Sequence, residues 1–342
     1  INLIIGLNAT GKTRLISVIS NLAKILAKKK MESLDGHWEL EFLNGNGVFN
    51  YKLEISNKIV AEEEIKKDGI LLLKRTKEAG QIMSSITKKM NSFAPPKEEL
   101  TLRVRRDQKE YPFLEELYNW ANNFYGYTFA NASPHQVTMP NPDVPETKLE
   151  DLGTVPYLLV EALQKQEIKK RIMEDFSTIG YPTKEIAIVK QNIAGIGLGI
   201  PFVEVQEKDL ECSTSQFAMS QGMYRAFALL VIIEYILSIK RPCTIVIDDL
   251  GEGLDFERSS KIMNLIFDKI RDTNIQLIVT SNDRFLINTT NIKYLNLLER
   301  TGHVVTAFNY VNNKEKFDEF ELTGLNNFDF FSRKMYKENK ND

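Results

Sequence analysis

The sequence predicts an α/β sandwich: a buried parallel sheet covered by helices, carrying an antiparallel β insertion and a helical lobe. Three observations predict it. An apolar strand, Asn2–Ile5, leads through a glycine-containing turn, 6–13, into a helix. That helix places Leu15, Ile16, Ile19, Leu22, Ile25 and Leu26 at helical spacing. Near the other end, the apolar runs Thr244–Asp248 and Gln276–Thr280 flank a helical segment, Glu257–Arg271. Strands apolar throughout, joined by a helix, are the mark of a parallel sheet buried on both faces. Between these ends lie short strand-like pieces, His37–Phe42, Gly47–Ser56 and Ile70–Arg75, separated by turn signals at Asn44–Gly47 and Lys67–Gly69.

The remaining elements follow in order. The first helix runs over about 12–28, and Lys28, Lys29 and Lys30 at its end suit the helix dipole. Residues 76–126 are mixed and charged, with an aromatic-rich helix near Phe113–Phe124. Arg103 and Arg105 alternate with Leu102 and Val104. This pattern reads as the wet face of a strand, or, with Arg106, as a patch contacting the phosphates of DNA. The stretch Asn131–Thr147 holds Pro134, Pro140, Pro142 and Pro145 and reads as a boundary loop. A helical region, Thr154–Phe176, and two strands, Glu185–Gln191 and Pro201–Val205, come next. Gly195, Gly197 and Gly199 between those strands precede no helix and read as a turn. A strongly apolar helix spans Gln221–Ile239. The organisation expected is residues 1–136 as the first part of a core, 137–240 as a helical lobe, and 241–342 as the rest of the core.

Composition bounds the function. The 342 residues are 43% apolar and 26% charged, with a net charge of −2. A chain so nearly neutral is no general trap for nucleic acid or acidic membrane, so any DNA contact needs a local patch. Two cysteines, Cys212 and Cys243, and three scattered histidines, His37, His135 and His303, make no ligand spacing. A reducing cytoplasm is the expected location. The longest apolar stretch, Ala226–Ile239, is short for a membrane span and holds Glu234. No signal peptide is visible, and an opening strand without Met suggests a natural N-terminus further upstream.

The chemistry begins at Gly6-Leu7-Asn8-Ala9-Thr10-Gly11-Lys12-Thr13, which fits the P-loop pattern G-x-x-x-x-G-K-[ST] between a strand and a helix. Glycines at Gly6 and Gly11 let backbone N–H groups, including those of Asn8, Ala9 and Thr10, curl around a phosphate at a helix start. Lys12 would neutralise the β- and γ-phosphates of ATP, and the Thr13 hydroxyl would coordinate Mg²⁺. The apolar strand Thr244–Ile247 ends in Asp248-Asp249. Asp248 would hold Mg²⁺ through water, and Asp249 would polarise the attacking water. Without the P-loop, such a pair is often only a turn.

Asp248-Asp249-Leu250-Gly251-Glu252-Gly253-Leu254-Asp255 resembles the Walker B and D-loop run of ABC-type ATPases. Met219-Ser220-Gln221-Gly222-Met223-Tyr224-Arg225 resembles their signature motif, at the start of the apolar helix before the Walker B strand. Ser220 and Gly222 hold its key positions, although Ser220 could equally be a helix N-cap. The separation of P-loop and signature is long for a transporter domain and short for an SMC protein with its full coiled coil. It is most similar to RecF-like and OLD-like soluble ATPases of DNA repair and bacterial anti-phage defence. The resemblance implies a P-loop NTPase, ABC ATPase-like sandwich, Mg-dependent ATP hydrolysis, and a homodimer or higher oligomer with composite ATP sites. It implies that Ser220, Gly222 and Asp255 meet nucleotide across subunits. An effector protein is the partner expected, DNA is a further possibility, and no membrane is. Gln136 is the candidate Q-loop glutamine sensing Mg²⁺, with a solvated side chain as the alternative.

The sequence also departs from that family. Asp249 stands where Glu is usual, Gln221 replaces a glycine, and Thr280-Ser281-Asn282-Asp283 has no switch histidine. Ser281 or Asn282 would have to meet the γ-phosphate instead. These departures suit a second reading, a nucleotide-gated scaffold with little turnover that holds or releases an effector.

Overall fold

The computed structural model describes residues 1–27, 35–44, 47–136, 149, 152–192 and 199–337. Lys28–Lys30, most of the Asn131–Thr147 loop, and Gly195 and Gly197 lie outside the described residues. The chain divides into two compact units, Ile1–Ser17 with Tyr125–Asp342, and Val18–Phe124. The boundary expected at 136/137 falls inside the first of these.

The first unit opens with β1 (Asn2–Gly6) and the start of α1 (Lys12–Ala27). The rest of α1 belongs to the second unit, which is an antiparallel meander. Its strands are β2 (Gly36–Asn44), β3 (Gly47–Ser56), β4 (Ile59–Lys67), β5 (Ile70–Thr76), β6 (Gly80–Met83) and β7 (Met90–Phe93), paired in chain order. One helical turn, α2 (Thr101–Val104), and α3 (Pro112–Asn122) complete it. Phe49, Tyr51, Leu53 and Ile55 alternate inward along β3. They share a core with Leu22, Ile25 and Leu26 of α1 and Phe113, Leu114 and Leu117 of α3. Period-two strands against a helix stripe make the simplest two-layer core.

Two expectations need correcting in this unit. The sequence reading missed β4, because a carboxylate occupies one of its inward positions. Glu63 is fully buried and accepts hydrogen bonds from the Thr101 and Leu102 amides and the Tyr51 hydroxyl. Burial outweighs those bonds and raises its pKa. The strand expected around Leu102–Arg105 is instead the single turn α2. The Arg103 side chain is buried, 3.2 Å from Glu99. Arg106 grips Glu115 with a two-pronged bond of 2.8 and 2.9 Å, and Arg105 lies over the Phe93 ring. Each of these three arginines has a partner within the unit.

The first unit resumes with β8 (Phe124–Thr128), α4 (Val155–Ala162), α5 (Gln166–Thr178), β9 (Thr183–Asn192), β10 (Gly199–Glu207), β11 (Thr214–Ser215) and α6 (Gln221–Ile239). It ends with β12 (Cys243–Asp248), α7 (Phe256–Ile270), β13 (Ile275–Thr280), α8 (Arg284–Thr289), β14 (Leu295–Thr301), β15 (Val304–Asn309), α9 (Lys314–Glu321) and α10 (Asn327–Ser332). Its main sheet has the order β15-β14-β1-β13-β12-β8, with β14, β1, β13 and β12 parallel. β9, β10 and β11 form a separate antiparallel sheet. β12 is buried at every position, as a central parallel strand requires.

α6 is apolar but for Arg225 and Glu234 among its buried residues and packs in the core of this unit. Among the described residues it is the one helix long and apolar enough to cross a membrane, yet 78% of that window is buried inside the protein. Phe330 of α10 is fully buried against Phe317, Phe320 and Tyr336, which anchors the C-terminal segment.

Three helices meet at a buried charge cluster. Glu234 of α6 accepts from Arg171 Nε (2.6 Å) and Lys269 Nζ (2.7 Å), and Lys269 also meets Asp175 at 2.8 Å. Burial pushes the Asp175 carboxyl up to about 6, with neighbouring Glu234 adding to the shift and Lys269 opposing it. For Glu234, burial acts upward, but the bonds from Lys269 and Arg171 prevail and lower its pKa. A carboxyl whose folded pKa exceeds its unfolded value stabilises the fold when protonated. That stability is present below the unfolded value and is lost as pH rises through about 6. Asp175→Asn should therefore gain stability over wild type near pH 7.5, by up to about 3 kcal/mol, and little near pH 4. Denaturant melts at the two pH values test this, and an equal difference at both would refute it.

Candidate nucleotide site

β1 ends at Gly6 because the next turn leaves no room for a side chain. A Cβ there would lie 2.6 Å from Thr10 Oγ1 and 2.9 Å from the Leu298 carbonyl. The turn is closed by Thr10, whose amide and hydroxyl both donate to the Leu7 carbonyl, at 3.2 and 2.8 Å. Ala9 (φ 65) and Gly11 (φ 99) are left-handed, a conformation costly for alanine. Alternating backbone of this kind turns successive N–H groups to one side and makes an anion nest. Asn8 and Ala9 are exposed, and α1 begins at Lys12 with its open amides. Lys12 is buried, and its ammonium donates to the Gly6 carbonyl at 2.9 Å, arching back over the loop. Thr13, one residue on, is exposed.

Two strands along the sheet, β12 delivers the acids. Asp248 is buried, and its Oδ1 accepts from the Thr280 hydroxyl at 2.5 Å. The Thr280 oxygen in turn accepts from the Asp249 amide at 2.8 Å. β13 thus fixes both acids through one threonine that sequence reasoning did not single out. Asp249 is itself left-handed (φ 54), a strained conformation of the kind found at functional sites. Burial raises its pKa, helped by Asp248 and Glu252 and opposed by Lys12. Burial lowers that of Lys12, against the pull of Asp249 and Asp248. The shifts identify one electrostatic site: the loop's cation and the strand's two acids sense one another.

A cleft of about 340 Å³ lies beside these groups, lined by Asn8, Asp249, Gly251, Glu252, Asn282 and Asp283, with Leu250 and Ser281. Of the residues expected to meet the γ-phosphate, Ser281 is buried and its hydroxyl donates to the Leu250 carbonyl at 3.0 Å. Asn282 is exposed and bonds Asn8 across the cleft at 3.0 Å. Asp283 caps α8 by accepting from the Phe285 and Leu286 amides. Gln136 is not among the residues lining this cleft; its amide donates to the Ser133 carbonyl in the turn after β8.

The signature segment has a structural account within the chain. Exposed Ser220 N-caps α6, its oxygen accepting from the Met223 amide at 3.2 Å. Gly222 is buried directly on the loop after β12, where a Cβ would stand 2.5 Å from the Gly253 carbonyl. Asp255 N-caps α7 and pairs with Arg258. Two more residues were given no role of their own from the sequence. Arg300 of β14 reaches the Ala9 carbonyl at 3.4 Å, bracing the glycine loop. Arg225 is the other; a lone arginine in an apolar helix, five residues after the capping serine, was the available signal.

No protein-family model and no curated protein matches the chain. Solved structures do. One is an Smc head bound to the C-terminal winged-helix domain of ScpA, at 12% identity and a TM-score of 0.47, covering 92% of this chain and 91% of that one. A Pyrococcus furiosus Smc head with an extended coiled coil, bound to the C-terminal domain of ScpA, is 11% identical, with a TM-score of 0.45 and coverage of 94% and 93%. The Thermotoga maritima SMC head domain is 11% identical, with a TM-score of 0.38 and coverage of 90% and 88%. Likenesses this distant carry no argument about activity. The fold rests on the strand order, the left-handed glycine loop and the acids two strands away. Together they make an α/β fold with a glycine loop after β1 and two acids at the end of β12, two strands away in the same sheet.

Proposed function

We propose that the chain binds Mg–ATP in the loop 6–13, hydrolyses it slowly, and closes head to tail on a second copy of itself when loaded. The observation that carries this reading is Lys12, a buried ammonium held over an anion nest and facing Asp248 and Asp249. The residues fit the ligand. The nest and the α1 start would take the phosphates, and Thr13 and Asp248 would hold Mg²⁺. Among the described residues no group of three His, Cys, Asp or Glu side chains could hold a metal alone. The ion would come with the phosphate oxygens and neutralise their charge. Asp249 would orient and deprotonate the water.

Ser220 supports the composite site. Its capping role uses the oxygen as acceptor, and the O–H remains a donor for a neighbouring subunit's phosphate. The slow rate follows from the short acid at 249 and from Ser281, whose hydroxyl is spent on Leu250. In this reading the chain is the ATPase subunit of an anti-phage defence or DNA-maintenance complex. The same facts favour a second reading, a nucleotide-gated scaffold with little turnover that holds or releases an effector, and measured turnover separates the two.

The composite site is tested by mixing Lys12→Ala and Ser220→Arg proteins, each inactive alone. A heterodimer holds one site with both groups intact, so part of the ATPase activity should return on mixing. If Ser220→Arg by itself dimerises and hydrolyses like wild type, Ser220 is only a helix cap.

A further inference from the structure

Arg225 is a buried residue of the first unit whose contacts the ATP site leaves unexplained. It sits in the second turn of α6, nine-tenths buried. Its guanidinium donates from Nη2 to the Ala130 carbonyl (2.6 Å), from Nε to the Ala132 carbonyl (3.3 Å) and from Nη1 to the Glu252 carbonyl (2.9 Å). Ala130 and Ala132 lie just after β8, in the segment leading to Gln136. Glu252 lies just after Asp249. One side chain therefore ties the helix capped by Ser220, the segment after β8 and the loop following the catalytic acid.

The joint is built tightly around that side chain. Gly253 is left-handed (φ +81), and a Cβ on it would stand 2.7 Å from Arg225 Nη1. Gly222, one turn before Arg225, packs on the carbonyl of the same Gly253. Gly222 is there because helix and loop touch backbone to backbone, and Gly253 because its backbone is left-handed with the guanidinium packed against it. A planar guanidinium suits such a joint, because its N–H groups diverge at fixed angles and reach three carbonyls from different segments at once. A lysine ammonium cannot copy that geometry. The next polar tie in the same region, Gln216 Nε2 to the Pro134 carbonyl at 3.0 Å, joins the post-β8 segment to the stretch just before Ser220.

We propose that Arg225 is a positioning residue that makes these three segments move as one body, so that the water-orienting acid and the Ser220 helix start are set together. This rests on the ATPase reading above. Arg225 touches neither nucleotide nor water in that scheme and acts only through the loops it holds.

The test uses the full chain with Arg225→Ala and Arg225→Lys, and Arg225→Gln should the alanine variant fail to fold. Nucleotide-free hydrogen exchange is measured first. Residues 129–135 and 250–255 should lose protection together in the variants, while α1 and the antiparallel unit keep theirs. ATP affinity by calorimetry should stay within about threefold of wild type, and kcat should fall about tenfold or more. Millimolar methylguanidinium should restore part of the kcat of Arg225→Ala, whereas urea, neutral and of similar shape, should not. Lysine should recover little. A kcat within about twofold of wild type in the alanine variant overturns the proposal. So does loss of protection in only one of the two segments, or equal rescue by urea. Should wild type itself neither bind nor hydrolyse ATP, the ATPase reading fails, and the exchange result still decides whether the joint exists.

Discussion

Lys12→Ala should weaken Mg–ATP binding by roughly 100-fold or more, about 2.7 kcal/mol. The lysine is the cation that faces the anion nest, and alanine would leave β- and γ-phosphate charge against neutral backbone amides. Its replacement should also act on the acids. Lys12 restrains the raised pKa of Asp249, so the alanine protein should hold that proton to higher pH. The folded protein itself should survive, because Lys12 makes its bonds to the Gly6 and Leu7 carbonyls of its own loop, and the core beneath is built by Leu3, Ile5 and their neighbours. Calorimetry with Mg–ATP, paired with a melting curve, checks both points. Unchanged affinity in a folded variant would remove the loop 6–13 from the nucleotide site.

What the sequence revealed, and what it hid, follows from how each feature is encoded. The glycine loop and the acid-tipped strand are local patterns, and the fold carries them on β1 and β12, two strands apart in one sheet. α6 was legible because its long run is apolar apart from Arg225 and Glu234. β4 was hidden because Glu63 stands where an apolar residue would complete the alternation, and its buried charge is met by amides from residues 101 and 102, far along the chain. α2 misled in the opposite way: four residues of one helical turn can mimic strand alternation. Arg103 then points inward although its neighbours suggest a wet face. The roles of Thr280, Arg300 and Arg225 depend on segments some 30, 290 and 95 positions away, and no local pattern announces such partners. Asp255 and Ser220 illustrate a further limit. Both are helix caps in this chain, and capping alone accounts for an Asp or Ser at a helix start.

Asp249→Asn should leave ATP binding intact or strengthened and slow hydrolysis by roughly 10²–10⁴-fold, the usual worth of a general base. Several features make the substitution clean. The backbone at 249 is left-handed, and asparagine tolerates that region better than most residues. Asparagine is nearly isosteric with aspartate, so the amide bond to Thr280 need not move. It removes a charge that burial, Asp248 and Glu252 all disfavour. Because the folded pKa of Asp249 is raised, its ionised form costs stability at neutral pH, and the asparagine protein should melt no lower than wild type there. The same raised pKa sets the acid limb of wild-type turnover. Hydrolysis needs the carboxylate, so activity should fall as pH drops through a value above the ordinary aspartate range, while ATP is still bound. Glutamate at 249 should regain turnover if reach alone limits the rate, since one methylene moves the carboxylate by about 1.5 Å. Steady-state kinetics across pH, with binding measured separately, distinguish these outcomes. If Asp249→Asn turns over at the wild-type rate, Asp249 is not the water-orienting acid, and Glu252, the next carboxylate lining the cleft, becomes the residue to substitute.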